Sequence, residues 1–394
     1  MPPSTPGGED TTFGLGLTHR YVSGELRMFS TAWPSHNVYE VRVPALSTSG
    51  TLNQAQVVRE WGDVLGSKRY TGSGASWVYG LYWDEQDRRL YWSYADPYNV
   101  SNPNDPAVGY STLNDSTGTA TPVGAYIFSG RLLRMNIGCV MPIPQWFVDA
   151  YTGGKRLGAG CGGYFSGVHW DSMGPALGAF SPPGSSLPDR SSLSIMALLG
   201  YPDDSKDTVY SYERCHRDTN YIGTGNWVAW DPRNGIGYWT AGDYIYQGGI
   251  WIDLPDKHGV LYFPTLGNGQ VYYDSGMHLA ANGSSHWWFL YDPADLAKVA
   301  QGQLDQSAVQ PIRWPIKYPD IGVSYDLGGF TGGAMPQMVT GVTFDSTNRR
   351  LYVALQMAAP GGAYGTTKVF VYEVQSGSPS DSTPPAPPTR MRLR

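Results

Sequence analysis

The stretch GLYWDEQDRRLYWSY, residues 80–94, consists of two apolar, aromatic runs separated by a charged segment. The runs at 81–83 and 90–94 are rich in Tyr, Trp and Leu, and large aromatic residues are typical of strands. The DEQDRR segment between them supplies polar residues that favour a tight turn. The stretch therefore predicts a β-hairpin.

The same pattern returns four more times along the chain. It is clearest in GVTFDSTNRRLYVAL, residues 341–355, and it recurs at 16–30, 146–160 and 249–263. A third apolar run follows each hairpin after a loop, and several units contain a fourth. We expect third strands at 37–43, 108–113, 176–180, 287–292 and 369–374, and fourth strands at, for example, 56–60 and 311–316.

Four-stranded antiparallel units repeated at long intervals are typical of a β-propeller, because each unit buries its faces only against its neighbours. The phrase Gly-x-apolar-x-Asp…Arg-Leu-Tyr resembles propeller repeats over residues 13–375. We predict an all-β fold: a single β-propeller of four-stranded antiparallel blades, five in number. Six or seven blades stay open if degenerate units occur in 183–248 or 300–335. A sixth copy of the phrase, at 226–242, is interpreted as the outer hairpin of the third unit, displaced by an insertion at about 182–225.

The composition agrees with short strands and tight loops. Gly (50) and Pro (30) are abundant among 394 residues, aromatic residues make up 13%, and charged residues make up 15%, against about a quarter in an average domain. Residues 1–12 are a polar N-terminal segment, and 376–394 form a Pro/Ser-rich C-terminal linker. Its sequence DSTPPAPPTRMRLR resembles the lead-in to fibronectin type III modules of bacterial secreted proteins. The resemblance implies a secreted, extracellular protein of bacterial type, although we find no signal-peptide pattern in this chain.

Charge and hydropathy argue against two classes of partner. The formal net charge is −6 and basic residues cluster only at the end of the chain, so we expect no nucleic-acid partner. No apolar run approaches about 18 residues, so we expect no membrane-spanning helix. Cys139, Cys161 and Cys215 have no metal-ligand spacing. One disulfide with a free thiol, and three buried thiols, both stay open.

The acidic residue of the repeated phrase is a scaffold candidate. It occurs, each time where the innermost strand turns back, as Asp84, Asp149, Asp231, Asp253 and Asp345. An Asp at a turn accepts hydrogen bonds from its own backbone, so we assign these residues to the turns rather than to chemistry. We expect Arg89 and Arg350, which follow two of the turns, to be solvated or to pair with them.

Long loops are expected at the opposite ends of the strands, around the mouth of the central channel, and such loops often carry function. Their Trp and Tyr rings can stack on sugars while Asp, Asn and His bond hydroxyl groups. The predicted loops are 31–37, 93–106, 162–175, 241–249 and 265–288. The predicted substrate-binding residues in them are Trp33, Asp96, Tyr98, Trp170, Asp243, Tyr246, Tyr273 and His278.

The densest cluster in these loops gives the catalytic candidates His169, Asp171 and Tyr164. A His beside a Tyr can act as base and acid in β-elimination from a uronic acid. Glycoside hydrolysis needs two carboxylates about 5–10 Å apart, and no motif marks such a pair. His36 and His286 are assigned to the same loops, and no HxH or HExxH spacing indicates a metal site. The cofactor requirement is unknown, and Asp- and Asn-rich loops leave a structural calcium ion open.

Two functional hypotheses follow. The first is an extracellular glycan-binding or carbohydrate-active propeller with its ligand at the channel mouth, either a polysaccharide lyase or a glycoside hydrolase when it is an enzyme. The second is a non-catalytic structural or protein-interaction module, whose aromatic loops would contact a protein partner. Convergence of His169 and Asp171 with another polar side chain in a concave pocket would favour the first.

Overall fold

The computed structural model is mostly β-sheet. It describes residues 12–33, 35–47, 53–68, 77–95, 106–129, 138–160, 175–200, 230–231, 236–237, 248–273, 279–316, 318, 338–356 and 367–375.

The first sheet is a four-stranded antiparallel meander. Its strands are, in spatial order, β1 (Thr12–Val22), β2 (Glu25–Trp33), β3 (Asn37–Arg42) and β4 (Gln56–Asp63). The hairpin predicted at 16–30 and the strands predicted at 37–43 and 56–60 are confirmed.

The second sheet has eight strands, which form two antiparallel halves joined by a parallel pairing of β8 with β12. The first half consists of β5 (Trp77–Asp84), β6 (Arg89–Ala95), β7 (Val108–Asn114) and β8 (Thr119–Ser129). The second half consists of β9 (Val140–Pro142), β10 (Leu157–Ala159), β11 (Leu177–Phe180) and β12 (Ser192–Leu199). Because the end strands β5 and β9 also contact each other, this sheet is nearly closed, like a barrel.

The later strands form three further sheets. A two-stranded pair consists of β13 (Trp230–Asp231) and β14 (Ile236–Gly237). A five-stranded sheet consists of β15 (Gly249–Leu254), β16 (Lys257–Tyr262), β17 (Thr265–Tyr273), β18 (Leu279–Tyr291) and β19 (Ile312–Ile316), with β18 paired to β16, β17 and β19. A three-stranded sheet consists of β20 (Met338–Asp345), β21 (Arg350–Gln356) and β22 (Thr367–Glu373).

Helices are short in the described residues. They are α1 (Gln145–Phe147), continued by a π-helical turn (Val148–Thr152), and α2 (Pro293–Ala300), with 3₁₀ turns at Gly66–Lys68 and Gln306–Ala308. Helix α2 is capped by Asp292, whose side chain accepts a hydrogen bond from the N–H of Ala294 at 2.8 Å. None of these helices has the length and apolar character needed to cross a membrane.

The prediction of a hairpin at 146–160 was wrong. Pro144 precedes α1 with a φ of −56°, which suits the start of a helix. Gly153, with a φ of 60°, ends the π-helical turn in the left-handed conformation. Only the last part of the segment, in β10, is a strand, and β9 takes the place of the first strand. Asp149 therefore lies in a helical turn rather than at the end of an innermost strand.

The third unit is complete without the sixth copy of the phrase. Strand β12 lies inside the segment predicted as an insertion, and it pairs with β11 and β8. The hairpin at 226–242 was expected to complete this unit, but β13 and β14 pair only with each other among the described residues.

The first strand of each long sheet or half-sheet contacts at least two others of its kind. Strand β1 contacts β5 and β20, β9 contacts β5 and β15, and β15 contacts β20, while β5 also contacts β20. The five strands thus form a closed series, and the sheets extend away from it in a propeller-like arrangement.

Glycine allows these strands to approach one another backbone to backbone. A Cβ added to Gly80 would lie 2.7 Å from the carbonyl oxygen of Gly138, and one added to Gly341 would lie 2.6 Å from the backbone nitrogen of Leu17. Both distances are shorter than any ordinary contact of a Cβ atom. In these two copies, the glycine that begins the repeated phrase is therefore required by the close approach of the neighbouring strand.

Apolar side chains fill the spaces between neighbouring sheets. Phe29 of β2 and Trp92 of β6 are buried in one cluster between the first two sheets. Leu17 of β1 and Tyr352 of β21 lie in another cluster, between the first sheet and the three-stranded one. Burial of each large side chain of this kind stabilises the fold by about 1.5–3 kcal/mol.

Replacing Gly341 with Ala should lower the free energy of unfolding by about 1–3 kcal/mol, because the added methyl group forces β20 away from β1. Urea denaturation measures the change. Gly184→Ala is the matched control, since a Cβ at Gly184 meets no atom within 4 Å. Equal stability of the two variants would show that β1 and β20 do not pack in this way.

Candidate functional site

The described polar side chains that join different sheets lie mainly at the edge where the hairpins turn back, which we call the turn edge. Asp84 caps its own turn, since its Oδ1 accepts a hydrogen bond from the N–H of Gln86 at 3.1 Å. Its Oδ2 accepts one from Arg156 at 2.7 Å, and the same arginine bonds Asp87 at 2.7 Å. These bonds tie β5, through the buried Asp84, to the segment before β10 in the other half of the same sheet.

Asp345 repeats this arrangement between the last and first units. Its Oδ1 accepts a hydrogen bond from the N–H of Thr347 at 3.0 Å, and its Oδ2 accepts one from the hydroxyl of Tyr21 at 2.7 Å. His19 contacts Thr343 at 2.7 Å beside it. Partial desolvation of its hydroxyl, with the bond to Asp345, raises the pKa of Tyr21, whereas burial lowers the pKa of His19. At neutral pH the tyrosine is thus protonated and the imidazole neutral, as expected of structural groups.

A cluster of ion pairs at the same edge combines a buried pair within the first sheet, Arg20 with Glu40, and a contact of Arg20 with Asp115 in the β7–β8 turn of the second sheet, whose side chain is 48% exposed. Arg20 of β1 donates two hydrogen bonds to Glu40 of β3, at 3.0 and 2.9 Å, and another to Asp115 at 2.8 Å. The indole N–H of Trp61 donates to Glu40 at 3.0 Å. The bond from Arg20 lowers the pKa of Asp115. Because the guanidinium and both carboxylates have partners, the cluster is satisfied as a structural contact.

A further polar group at the turn edge, centred on Trp146, is exposed to solvent. Oδ1 of Asp253 accepts a hydrogen bond from Nε1 of Trp146 at 3.1 Å and lies 2.7 Å from Nδ1 of His258. The rings of Trp146 and His258 are 5.2 Å apart, between centroids. Trp146 is 40% exposed, and the side chains of His258 and Asp253 are 42% and 41% exposed. We call these three residues the Trp146 group.

The assignment of the repeated Asp to the turns is confirmed for Asp84 and Asp345. It does not hold for Asp253, which bonds side chains instead of its own turn, nor for Asp149, whose Oδ1 accepts from Gln145 in α1. The side chain of Asp231 lies outside the described residues.

The arginine that follows the first of these turns pairs as expected. Arg89 lies 3.9 Å from Asp87 of the turn, and it donates to the carbonyl of Pro183 at 2.7 Å. Its guanidinium also lies over the ring of Tyr110, 4.3 Å from the centroid. Arg350 lies opposite Asp345 in the backbone register of β20 and β21, and its side chain is hydrogen-bonded to Tyr352.

The predicted mouth residues lie almost entirely outside the described residues. Trp33 ends β2 and Tyr273 ends β17, and the structure describes only their backbone. The others that lie outside are Tyr164, His169, Asp171, Asp96, Tyr98, Trp170, Asp243, Tyr246 and His278. Their convergence therefore remains a prediction.

The assignment of 265–288, and of His286 within it, to a loop was wrong. Most of 265–288 is not a loop but the antiparallel pair β17–β18. His286 lies within β18 and is buried, 4% exposed, with its ring against Tyr318 at 5.0 Å. Burial lowers the pKa of His286 to about 4. His36, which follows β2, is buried as well, so neither histidine is an exposed ligand-binding residue.

The candidate metal ligands and the cysteines can be examined in the described part of the chain. There, no three His, Cys, Asp or Glu side chains come close enough to hold a metal ion. Cys139 is a buried free thiol that donates to the carbonyl of Gly160 at 2.7 Å. Cys161 and Cys215 lie outside the described residues.

Comparisons with known proteins do not assign the chain to a family. No protein-family model and no curated protein matches it. The Nup170 N-terminal domain of Chaetomium thermophilum, solved with Nup53, aligns over 92% of this chain at 12% identity and a TM-score of 0.31, and this chain spans 44% of its length. The periplasmic gluconolactonase PpgL of Pseudomonas aeruginosa aligns over 92% of this chain and 78% of its own at 7% identity and a TM-score of 0.27. Structural similarity at this level gives no information about the activity of this chain.

Tyr21→Phe should lower the free energy of unfolding by about 1–2 kcal/mol, because it removes a hydrogen bond to the buried carboxylate of Asp345. Thermal or urea unfolding measures the loss. Tyr151→Phe is the control, since the Tyr151 hydroxyl has no hydrogen bond to the described residues. An unchanged stability in Tyr21→Phe would contradict a closing contact between β1 and β20.

Acidification should destabilise the fold through His286. Its folded-state pKa, about 4, lies below the ordinary 6.5, so the unfolded chain binds the proton first and stability falls as pH drops through this window. The loss reaches about 3 kcal/mol between about pH 7 and pH 4. In urea unfolding at both pH values, His286→Gln should lose this part of the pH dependence, whereas His258→Gln should retain it. The same pH dependence in all three proteins would rule out His286 as its source.

Proposed function

We propose that this chain is a single five-bladed β-propeller that binds a glycan at the edge opposite the turn edge, outside the cell. The first sheet, the two halves of the eight-stranded sheet, the five-stranded sheet and the three-stranded sheet are taken as the blades. The closed series of contacts through β1, β5, β9, β15 and β20 supports this count.

The main support for a ligand site at the opposite edge is that the buried polar residues of the turn edge are already engaged in structural contacts. Asp84, Asp345 and Arg20 are buried there and are bonded to residues of a neighbouring sheet or, for Asp84, of the other half of the eight-stranded sheet. In a run of antiparallel strands, successive connections lie alternately at the two edges of the sheet. Because β5 and β6 are joined at the turn edge, the long β6–β7 connection between Ala95 and Val108 leaves from the opposite edge. Binding sites concentrate in long connections on a rigid scaffold.

The composition of these connections supports a sugar as the ligand. Flat aromatic rings cover the C–H faces of a sugar, and directional polar groups bond its hydroxyls. The proposed substrate-binding residues are those predicted from sequence, Trp33, Asp96, Tyr98, Trp170, Asp243, Tyr246, Tyr273 and His278.

The reaction proposed for this site is β-elimination from a uronic acid. His169 takes the proton from C5, the bond from C4 to the leaving oxygen breaks, and Tyr164 donates a proton to that oxygen. The products are an unsaturated uronate and a new chain end. Asp171 lies two residues from His169 in the sequence, and we assign it as the partner of the imidazole.

A screen of polysaccharides tests this function, with both unsaturated uronates and reducing ends followed. We expect cleavage of a uronate-containing polymer, and His169→Ala should lower kcat roughly 10²- to 10⁴-fold. His216→Ala is the matched control, because His216 lies in the predicted insertion and not in a mouth loop. Reducing ends without unsaturation would indicate a hydrolase. If the chain neither cleaves a polysaccharide nor is retained on a glycan array, the glycan proposal is wrong and the protein-interaction module is the remaining hypothesis.

A further inference from the structure

The Trp146 group is where the repeated phrase departs from its pattern. In the copies at 80–94 and 341–355 the turn aspartate is buried, with 2% exposure for Asp84 and 1% for Asp345. The strand position opposite it is Arg89 in the first copy and Arg350 in the other. In the copy at 249–263 that position is His258, and the aspartate is exposed.

The hydrogen bonds of this group leave two acceptors free. A carboxylate only accepts hydrogen bonds, so Nδ1 of His258 carries the proton toward Asp253, and Nε2 is an acceptor whenever the ring carries a single proton. Oδ1 of Asp253 receives both bonds, from Trp146 and from His258. Neither Oδ2 of Asp253 nor Nε2 of His258 has a hydrogen-bond partner among the residues that the structure describes.

The exposed indole beside these acceptors is held in place. Trp146 meets Phe147 at 5.5 Å and Trp251 at 6.5 Å, between ring centroids, with interplanar angles of 81° and 84°. Its Nε1 is anchored to Asp253 in β15, and its backbone lies in α1. A rigid aromatic surface beside fixed polar atoms is an arrangement that binds with little loss of entropy.

The size of the apolar surface favours a small ligand over a protein. The large exposed apolar side chains of the described residues are Tyr21, Trp146, Ile312 and Val369. They belong to different elements, β1, α1, β19 and β22. A stable protein interface buries about 800 Å² on each partner, and a single indole provides only a small part of that area.

We propose that the Trp146 group is a saccharide-binding site at the turn edge, separate from the site proposed at the opposite edge. The indole contacts the C–H face of one sugar ring, and Nε2 of His258 and Oδ2 of Asp253 accept hydrogen bonds from its hydroxyls. Because both polar atoms are acceptors and Asp253 is an anion, the site takes a neutral sugar and disfavours a uronate.

Binding is tested with the whole chain and soluble oligosaccharides of glucose, xylose, mannose and galactose, with oligogalacturonate as the anionic probe. Titrations are followed by the indole N–H signals in NMR spectra, in which Trp146→Phe identifies the Trp146 signal. At least one neutral oligosaccharide should shift that signal, and oligogalacturonate should not. Trp146→Ala and His258→Ala should each weaken the affinity about tenfold or more, whereas Ile312→Ala should leave it unchanged.

Several results would overturn the proposal: a Trp146 signal that no neutral sugar moves, equal affinity in Trp146→Ala and the unmodified chain, or a response to oligogalacturonate alone. Specific capture of a protein through Trp146 in place of any sugar would also overturn it. His258→Ala gives an independent answer when Trp146→Ala is poorly folded. His169→Ala separates the two proposals, since it should lower the activity at the edge opposite the turn edge without changing the Trp146 signal.

Discussion

The packing of this fold depends on the contact of one innermost strand with the next, backbone against backbone. Gly16, Gly80 and Gly341 stand where a Cβ atom would lie within about 3 Å of the neighbouring strand. Such packing leaves no side chain between the strands at these positions, so the sheets must diverge outward from them. The large aromatic residues then fill the widening spaces between sheets, which explains why a chain with so many glycines also contains so many Trp and Tyr residues.

Strands that pack this closely need another means of fixing their order, and the turn edge supplies it. Asp84 receives Arg156 from the next unit, and Asp345 receives Tyr21 from the first. Each carboxylate also accepts a hydrogen bond from its own turn. Hydrophobic contact is not directional, whereas these bonds can form only when the correct units are adjacent. The contact of Tyr21 with Asp345 is important because it joins strands more than 300 positions apart, at the two ends of the series.

The sequence predicted those parts of the structure that depend on local pattern. The hairpins at 80–94 and 341–355 follow from alternating apolar runs and a polar turn, and the register confirms both. The prediction of a hairpin at 146–160 was wrong because Pro144 and Gly153 favour a helical turn between them, a local signal that outweighs the similarity to the repeated phrase. The strands within 265–288 were missed because Gly and Asn suggested a loop. The Trp146 group joins α1 to β15 across more than 100 positions, and only the change from arginine to His258 in the repeat could have drawn attention to it.

The exposed state of Asp253 follows from the length of its turn. Between Asp84 and Arg89, four residues form the turn, and the N–H of Gln86 is free to bond the carboxylate. In the fourth unit Leu254 pairs with Lys257, so only Pro255 and Asp256 remain in the turn, and Pro255 has no N–H to donate. A carboxylate without turn donors or a buried arginine costs several kcal/mol to bury. Asp253 therefore stays in solvent and bonds Trp146 and His258, so the shortened turn converts a structural position of the repeat into an accessible polar group.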